Sequence, residues 1–273
     1  MTKRKGKAAL AAAVLTMALH AGSLQAADEA SSLEGASISY DMATGVITAE
    51  GDVLLQHGET RIAGAKASYD TKTQQGEITG GVIAVSDAMR LTADAVRLES
   101  FDAIHATGGA EVTKDDLHLS AASLSVFDKD RYVAEGDVRA VKADKTFTGA
   151  RAEFTQSTNY MLIPAGGTMR TADGTFTADR MEGWLTEEHY RGTGNVHVVS
   201  PPRSFEGGGD RIDYFAKAED GKGKCVLDGN AWAYQGNNML KSKHLTVYLA
   251  NTGNLASTFG QICICKQGNG YRR

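Results

Sequence analysis

Along residues 47–55, apolar or small side chains (Ile47, Ala49, Gly51, Val53, Leu55) alternate with the polar Thr48, Glu50 and Asp52. Alternation with period two marks a β-strand that buries one face. The same phase returns at Ile104, Ala106, Gly108, Ala110 and Val112, and at Tyr132, Ala134, Gly136, Val138 and Ala140. It returns again at Tyr190, Gly192, Gly194, Val196 and Val198, and at Leu227, Gly229, Ala231 and Ala233. A Gly-x-apolar step opens at Gly51, Gly80, Gly108, Gly136, Gly166, Gly194 and Gly229, at spacings of 29, 28, 28, 30, 28 and 35 residues. A second landmark keeps the same beat: Ile62, Leu91, Leu119, Phe147, Phe176, Phe205 and Leu240 each open an alternating run. Two landmarks in register define one two-strand unit repeated seven times.

The second strand of each unit changes face partway. In residues 62–69 the apolar phase starts at Ile62 and resumes at Ala65, Ala67 and Tyr69, an odd-numbered step. A small residue stands at each flip: Gly64, Ala93, Ala121, Gly149, Ala178 and Gly207. This pattern predicts a β-bulge, which bends its strand. A bend in every unit curves the sheet into a roll with an interior. Pro164 interrupts the unit from Leu162 to Thr168. Lacking an N–H for the ladder, it predicts an edge, a bulge or a bend there. Turn chemistry closes the strands at Asp41–Gly45, Asp70–Thr73, Asp128–Asp130 and Ala172–Gly174. No helical periodicity appears after residue 27. The expected fold is all-β: a single curved roll of about seven two-strand repeats, with about fourteen to sixteen strands in one continuous domain. It spans residues 36–251, between a flexible stretch at 28–35 and a disordered tail at 252–273.

The inward phase is rich in small residues. Ala49, Gly51, Ala84, Ala106, Gly108, Ala134, Gly136, Gly192, Gly194 and Ala231 point inward beside Val53, Leu55, Val82, Val138 and Val196. A buried Val or Leu stabilises by about 1.5–3 kcal/mol, and Ala or Gly contributes far less. Two readings stay open. The small residues simply permit the curvature of a closed core, or they leave an apolar slot that suits a lipid tail.

The N-terminus has its own character. Lys3, Arg4, Lys5 and Lys7 precede an apolar run from Ala8 to Leu19, and small residues follow to Ala26 and Ala27. This is the layout of a secretory signal peptide over residues 1–27. The run is shorter than the roughly 20 residues that span a bilayer. The leader holds four of the 29 Lys and Arg and none of the 33 Asp and Glu, so the remaining 25 cations face 33 anions, a net charge near −8. That balance argues against nucleic acid as a partner, because phosphate binding needs clustered cations. The prediction is an exported, soluble protein.

Catalytic and metal chemistry find little support. The three cysteines, Cys225, Cys263 and Cys265, make no disulfide framework, and Cys263-Ile264-Cys265 has no second pair to complete a metal site. His57, His105, His118, His189, His197 and His244 show no metal-ligand spacing, and His197 lies on the polar face of its strand. There is no nucleophile elbow or phosphate loop. Gly207-Gly208-Gly209 follows Pro201-Pro202 and precedes a strand, so it reads as a wide bulge rather than a phosphate cradle. Asp115-Asp116, Glu187-Glu188 and Glu219-Asp220 read as solvated turns. The expectation is a non-enzyme without cofactor. Two rival classes remain: an exported structural or adhesive β-solenoid with a filled core, and a β-helical polysaccharide-acting enzyme. The enzyme would need an acid/base ladder on one outer face. The equivalent outward residues Asp52, Gly81, Gly109, Asp137, Gly167, Asn195 and Asn230 supply none.

The repeat G-D-V-L-L-Q-H-G-E-T-R-I-A-G-A-K-A-S-Y-D (51–70), followed by G-E-I-T-G-G-V-I-A-V (76–85), resembles the OstA-like/LptA family. A-E-G-D-V (134–138) and R-G-T-G-N-V-H-V (191–198) resemble it too, and the likeness covers residues 36–250. The resemblance implies a β-jellyroll protein of the periplasm that carries lipopolysaccharide, its acyl chains in an apolar groove. It also implies end-to-end homo-oligomers bridging an LptC-like inner-membrane component and an LptD-like outer-membrane component. The motif carries phase rather than residue identity. The positions expected to line the groove are therefore taken by phase: Ile47, Ala49, Val53, Leu55, Val82, Ala106, Ala134, Val138, Val196 and Val198. The chain departs from the family's shorter members in its length and its Cys-bearing tail.

Overall fold

A computed structural model describes residues 13–17, 31–100, 102–216, 223–249 and 263–265. Most of the expected signal peptide and of the C-terminal tail, and part of the insertion at 219–224, lie outside the described residues. Among the described residues the fold is all-β, as the alternation predicts, with one 3-10 turn at Pro201–Arg203. The strands fall into two compact units. Unit 1 holds the residues up to His118 together with Ala122–Lys129, and unit 2 holds Leu119–Ala121 and the chain from Asp130 onward.

Unit 1 begins with β1 (Ala13–Met17), β2 (Ser31–Gly35) and β3 (Ser37–Asp41). The long strands β4 (Val46–His57), β5 (Thr60–Asp70), β6 (Gln75–Ser86), β7 (Met89–Ser100), β8 (Ala103–Lys114) and β9 (Leu117–Phe127) follow. From β3 to β8 each strand pairs antiparallel with the next. β2 and β3 share one side of β4, with Leu33 opposite Leu55 and Ile38 opposite Ala49. β1, inside the expected leader, pairs with β2.

Unit 2 continues with β10 (Arg131–Lys142), β11 (Lys145–Thr155), β12 (Tyr160–Ile163), β13 (Gly167–Thr171), β14 (Gly174–Ala178) and β15 (Arg180–Trp184). It ends with β16 (His189–Ser200), β17 (Phe205–Phe215), β18 (Gly223–Gln235), β19 (Asn238–Leu249) and β20 (Cys263–Cys265). β20 falls within the stretch expected to be a disordered tail, and it pairs with Thr246–Tyr248 of β19. The described strands number twenty, more than the repeat predicts. Part of the excess has a local cause at Pro164. Without a donor there, one long strand becomes β12 and β13, and its partner becomes β14 and β15 on either side of Asp179. The ladder survives in halves: β11 pairs with both β12 and β13, and β16 pairs with both β14 and β15.

The bulges are real, but their extra residue sits on the first strand of the repeat, not the second. Between the pairs Glu50–Lys66 and Val53–Gly64, β4 contributes Gly51 and Asp52 against the single residue Ala65 of β5. Both are left-handed, at φ 73° and 48°. Tandem left-handed pairs recur at Gly80-Gly81, Gly108-Gly109, Gly136-Asp137, Gly194-Asn195 and Gly229-Asn230. Gly51, Gly108 and Ala65, expected inward, are therefore exposed, and Gly136 and Gly194 are half-buried. The small residue Gly64 is the inward partner of Val53, next to the flip.

The two positions of each pair differ in what surrounds them. A Cβ on Gly108 would lie 2.4 Å from Asp94 Cβ, and one on Gly194 would lie 2.5 Å from Asp179 Oδ2. A Cβ on Gly81 or Gly109 would meet nothing within 4 Å. Hence the first position is always Gly. The second takes Gly, Asp or Asn, the residue types that visit the left-handed region most readily. Asn195 and Asn230 also use their side chains, donating to Asp179 at 2.8 Å and to Asp210 at 3.0 Å.

The cores of the two units differ in composition. Unit 1 buries aliphatic side chains such as Ile47, Ile62, Ile78, Val82, Leu91, Val96 and Leu124. Unit 2 adds rings and thioethers: Phe147, Met161, Met169, Phe176, Met181, Tyr190 and Phe205 join Ile212, Leu227 and Leu245. Its inward glycines make room for these. A Cβ on Gly192 would lie 2.4 Å from the Phe176 ring, and one on Gly167 would lie 2.5 Å from the Met181 sulfur. Cys225 is a buried free thiol, and burial pushes its pKa up to about 12. Burial also pushes the Tyr190 phenol up to about 12.

Two outcomes follow from this packing. Gly109→Ala adds one strained left-handed residue and lowers unfolding free energy by about 1–2 kcal/mol. Gly108→Ala adds the collision with Asp94 and costs clearly more, whereas Gly109→Asn stays within about 1 kcal/mol of the parent. Urea titrations of the three variants check that order. Cys225, in a chain with Cys263 and Cys265 replaced by Ser, is expected to resist Ellman's reagent at pH 8 until denaturant is added, because only the thiolate reacts. Its folded pKa lies above the ordinary thiol value of 9.0. The folded state therefore keeps a proton that the unfolded state releases, and stability falls as pH rises from about 9 toward 12.

Candidate functional site

Nine of the ten positions chosen by phase are buried: Ile47, Ala49, Val53, Leu55, Val82 and Ala106 in unit 1, and Ala134, Val138 and Val196 in unit 2. Val198 is half-buried. The ten are divided between two units, and most are sealed inside packed cores. Val198 differs because it faces an opening.

That opening is an apolar cleft in unit 2 of about 540 Å³, its open mouth included. Its walls are Met169, Phe176, Val198, Phe205, Ile212, Tyr214 and Cys225. Five strands supply them: β13, β14, β16 and β17 carry the first six, and β18 carries Cys225. Alternation turns Phe176 and Val198 to the same side, and the two are paired across β14 and β16. Tyr214 stands opposite Cys225 in the β17–β18 ladder. Burial pushes the Tyr214 phenol up, with Asp173 adding to the rise and Arg203 opposing it. A neutral phenol and a neutral thiol add no charge to the cleft lining.

The mouth is polar. It is bordered by the turn between β13 and β14, which carries Asp173, and by the turn after β16, which carries Pro201–Arg203. Ser200 Oγ donates to the Asp173 carbonyl at 2.6 Å, and Arg203 pairs with the Asp173 carboxylate at 3.2 Å. The Arg203 side chain is 12% exposed and that of Asp173 is 51% exposed. The Arg203 stem is thus held against the protein while its partner stands in water. Pro201-Pro202 and the left-handed Ser204 (φ 48°) shape the turn that carries Arg203.

The outer face of unit 2 carries a second cluster that sequence reasoning did not assemble. Tyr160, Trp184, His189, Phe215 and Lys224 form one cross-strand row. His189 is stacked between Trp184, 4.7 Å away, and Phe215, 4.3 Å away. Lys224 Nζ sits 4.8 Å from the Phe215 ring centre. Beside the row, buried Asp213 accepts hydrogen bonds from His189 Nε2 and Arg191 Nε, both at 2.8 Å. Arg211 bridges Asp213 and Asp228. Burial tends to raise the Asp228 carboxyl, but hydrogen bonds from His244 and Arg211 outweigh it and hold it below the usual range. The registers that build this cluster were readable only once the pairing of Trp184 with His189 and of His189 with Phe215 was known.

The His189–Asp213 pair has the spacing of an acid/base dyad but not its setting. Both faces of the imidazole are covered by rings, and two arginines compensate the carboxylate. His197, expected on the polar face, is 44% exposed and pairs with Glu206 at 2.9 Å. Among the described residues no group of three or more His, Cys, Asp and Glu is placed to hold a metal ion.

Comparison with known proteins gives these features a family context. No curated protein matches the chain in sequence. Among solved structures it is similar to LptH of Pseudomonas aeruginosa, the LptA-homologous periplasmic component of the conserved lipopolysaccharide transport device. The identity is 16% and the TM-score 0.36, with 37% of this chain and 79% of LptH covered. Residues 61–253, well over half of the chain, match the family described as LptA/(LptD N-terminal domain) LPS transport protein, and the chain belongs to that family.

Proposed function

We propose that this chain is a periplasmic carrier of lipopolysaccharide, which it holds by sheltering acyl chains in its apolar interior while the sugars stay in water. The observation that supports this most directly is the unit 2 cleft, where a wall of Phe176, Val198, Phe205 and Ile212 opens to solvent beside a polar rim. In a chain of a lipopolysaccharide-transport family, an apolar cavity with a polar mouth suits an amphiphile. Each methylene moved from water into such a cavity stabilises the complex by about 0.8 kcal/mol.

The bridge role rests on the sheet edges. Among the described residues, β20 covers only Thr246–Tyr248 of β19, leaving the edge over residues 238–245 for another strand. Met239 and Leu240 are exposed on that stretch. At the other end, cleavage near Ala26 or Ala27 removes β1 from β2. An edge at each end is a template for strand addition, and heterologous pairing of this kind gives open filaments. In this reading the terminal strands also meet LptC-like and LptD-like components at the two membranes.

Two outcomes test the proposal. A photoreactive amino acid at Val198 is expected to form an adduct with lipopolysaccharide, and one at the exposed Glu206 is expected to form none. Absence of the Val198 adduct, or equal yields at both sites, refutes acyl binding in the cleft. Light scattering of the leader-free chain is expected to show mass rising with concentration, and more steeply in a form ending at Asn251. A sharp monomer in both forms refutes the bridge.

A further inference from the structure

The rim of the unit 2 cleft contains a cation whose role the fold does not require. Arg203 lies on a surface turn, yet its side chain is only 12% exposed and it is one of the residues that line the apolar cleft. Among the described residues its ion-pair partner is Asp173, which is half in water. Both loops are tied without that pair, because Ser200 Oγ holds the Asp173 backbone directly.

We propose that Arg203 is the head-group site for a single-chain anionic amphiphile: an acyl or alkyl chain lies in the cleft, and its phosphate or carboxylate replaces the Asp173 carboxylate on the guanidinium. The exchange is nearly balanced electrostatically. Asp173 turns into solvent, where it is already half exposed, and one anion takes the place of another on a cation that is always charged. A planar guanidinium also suits bidentate binding of phosphate or carboxylate. The driving force is burial of the chain against Phe176, Val198 and Ile212. The Tyr214 phenol and the Cys225 thiol, both neutral at ordinary pH, lie among the lining residues and add no charge to the cleft. This inference deepens the carrier reading by assigning a head-group contact and a ligand class smaller than lipopolysaccharide. It stands apart from adduct formation at Val198.

Calorimetric titration of the leader-free full chain tests it with three probes, the two long-chain ones kept below the concentration at which they aggregate. Hexadecyl phosphate is expected to bind at least tenfold more tightly than hexadecanol, and inorganic phosphate alone is expected to give no heat. Arg203→Gln is expected to erase the preference for the phosphate while leaving hexadecanol unchanged. Asp173→Asn removes the competing anion and is expected to tighten hexadecyl phosphate several-fold. Equal affinity for phosphate and alcohol in the parent overturns the head-group site. So does an undiminished preference in Arg203→Gln, or unchanged affinity in Asp173→Asn. Should Arg203→Gln fail to fold, the Asp173→Asn titration decides alone. Binding of inorganic phosphate as tightly as hexadecyl phosphate would show an anion site without a chain, and would also overturn the proposal. If neither long-chain probe binds while the Val198 adduct with lipopolysaccharide forms, this inference fails and the carrier reading stands.

Discussion

A strand that must pass through two consecutive left-handed residues accepts only a narrow set of side chains, and the described strands meet that demand six times. At Gly51-Asp52, Gly80-Gly81, Gly108-Gly109, Gly136-Asp137, Gly194-Asn195 and Gly229-Asn230 the backbone turns out of the ladder and back again. Each pair is set against fewer residues on the neighbouring strand, as Gly51 and Asp52 are against Ala65. The first strand keeps its inward phase across the bulge, so Ala49 and Val53 are both buried, while the partner strand must change face. Everything inward depends on that offset. A one-residue slip would carry the apolar set to solvent. The bulges also bend the strands, and a bent sheet can enclose side chains such as Ile47, Val96 and Leu227, which are almost wholly shielded from water.

The same economy of small residues governs what the interior can hold. In unit 2, glycine in one strand is matched by a large side chain from another, as Gly192 is by Phe176 and Gly167 by Met181. This fills most of the core. It stops where β13 and β14 turn back beside the Pro201–Arg203 loop, and there the apolar wall reaches solvent. The cleft is walled by large side chains such as Phe176, Phe205 and Ile212 rather than by the small residues of the inward phase. Small residues close the packed regions, and an apolar cleft remains at one polar-rimmed mouth.

Most of the fold was legible because its signals are local. Period-two alternation and the repeated Gly-x step identify the strands, and both survive in the structure. The bulge was legible as a flip at Gly64 or Gly149, but its owner was not. Only the pairing partners show that the extra residue belongs to the Gly-x step. Pro164 announced an interruption, and the strand does break there. The site was less legible. Phase located buried positions well, from Ile47 to Val196, yet burial alone does not distinguish a filled core from a cleft wall. Val198 was identified for the same reason as the rest, and only the structure sets it apart. Arg203 and Asp173 lie 30 residues apart in the chain, and neither belongs to a motif. The Trp184–His189–Phe215 stack is likewise a product of register, invisible until the strands are aligned.

The central claim is that hydrocarbon enters the unit 2 cleft between β14, β16 and β17. Isotope-filtered nuclear Overhauser spectroscopy tests it most directly, using the methyl-labelled leader-free chain and lipopolysaccharide with unlabelled acyl chains. The account predicts cross-peaks from acyl methylenes to the methyl groups of Val198 and Ile212 and none to Val141, which lies near the end of β10 outside the cleft lining. Bound lipopolysaccharide with no cross-peak to either cleft methyl would contradict it.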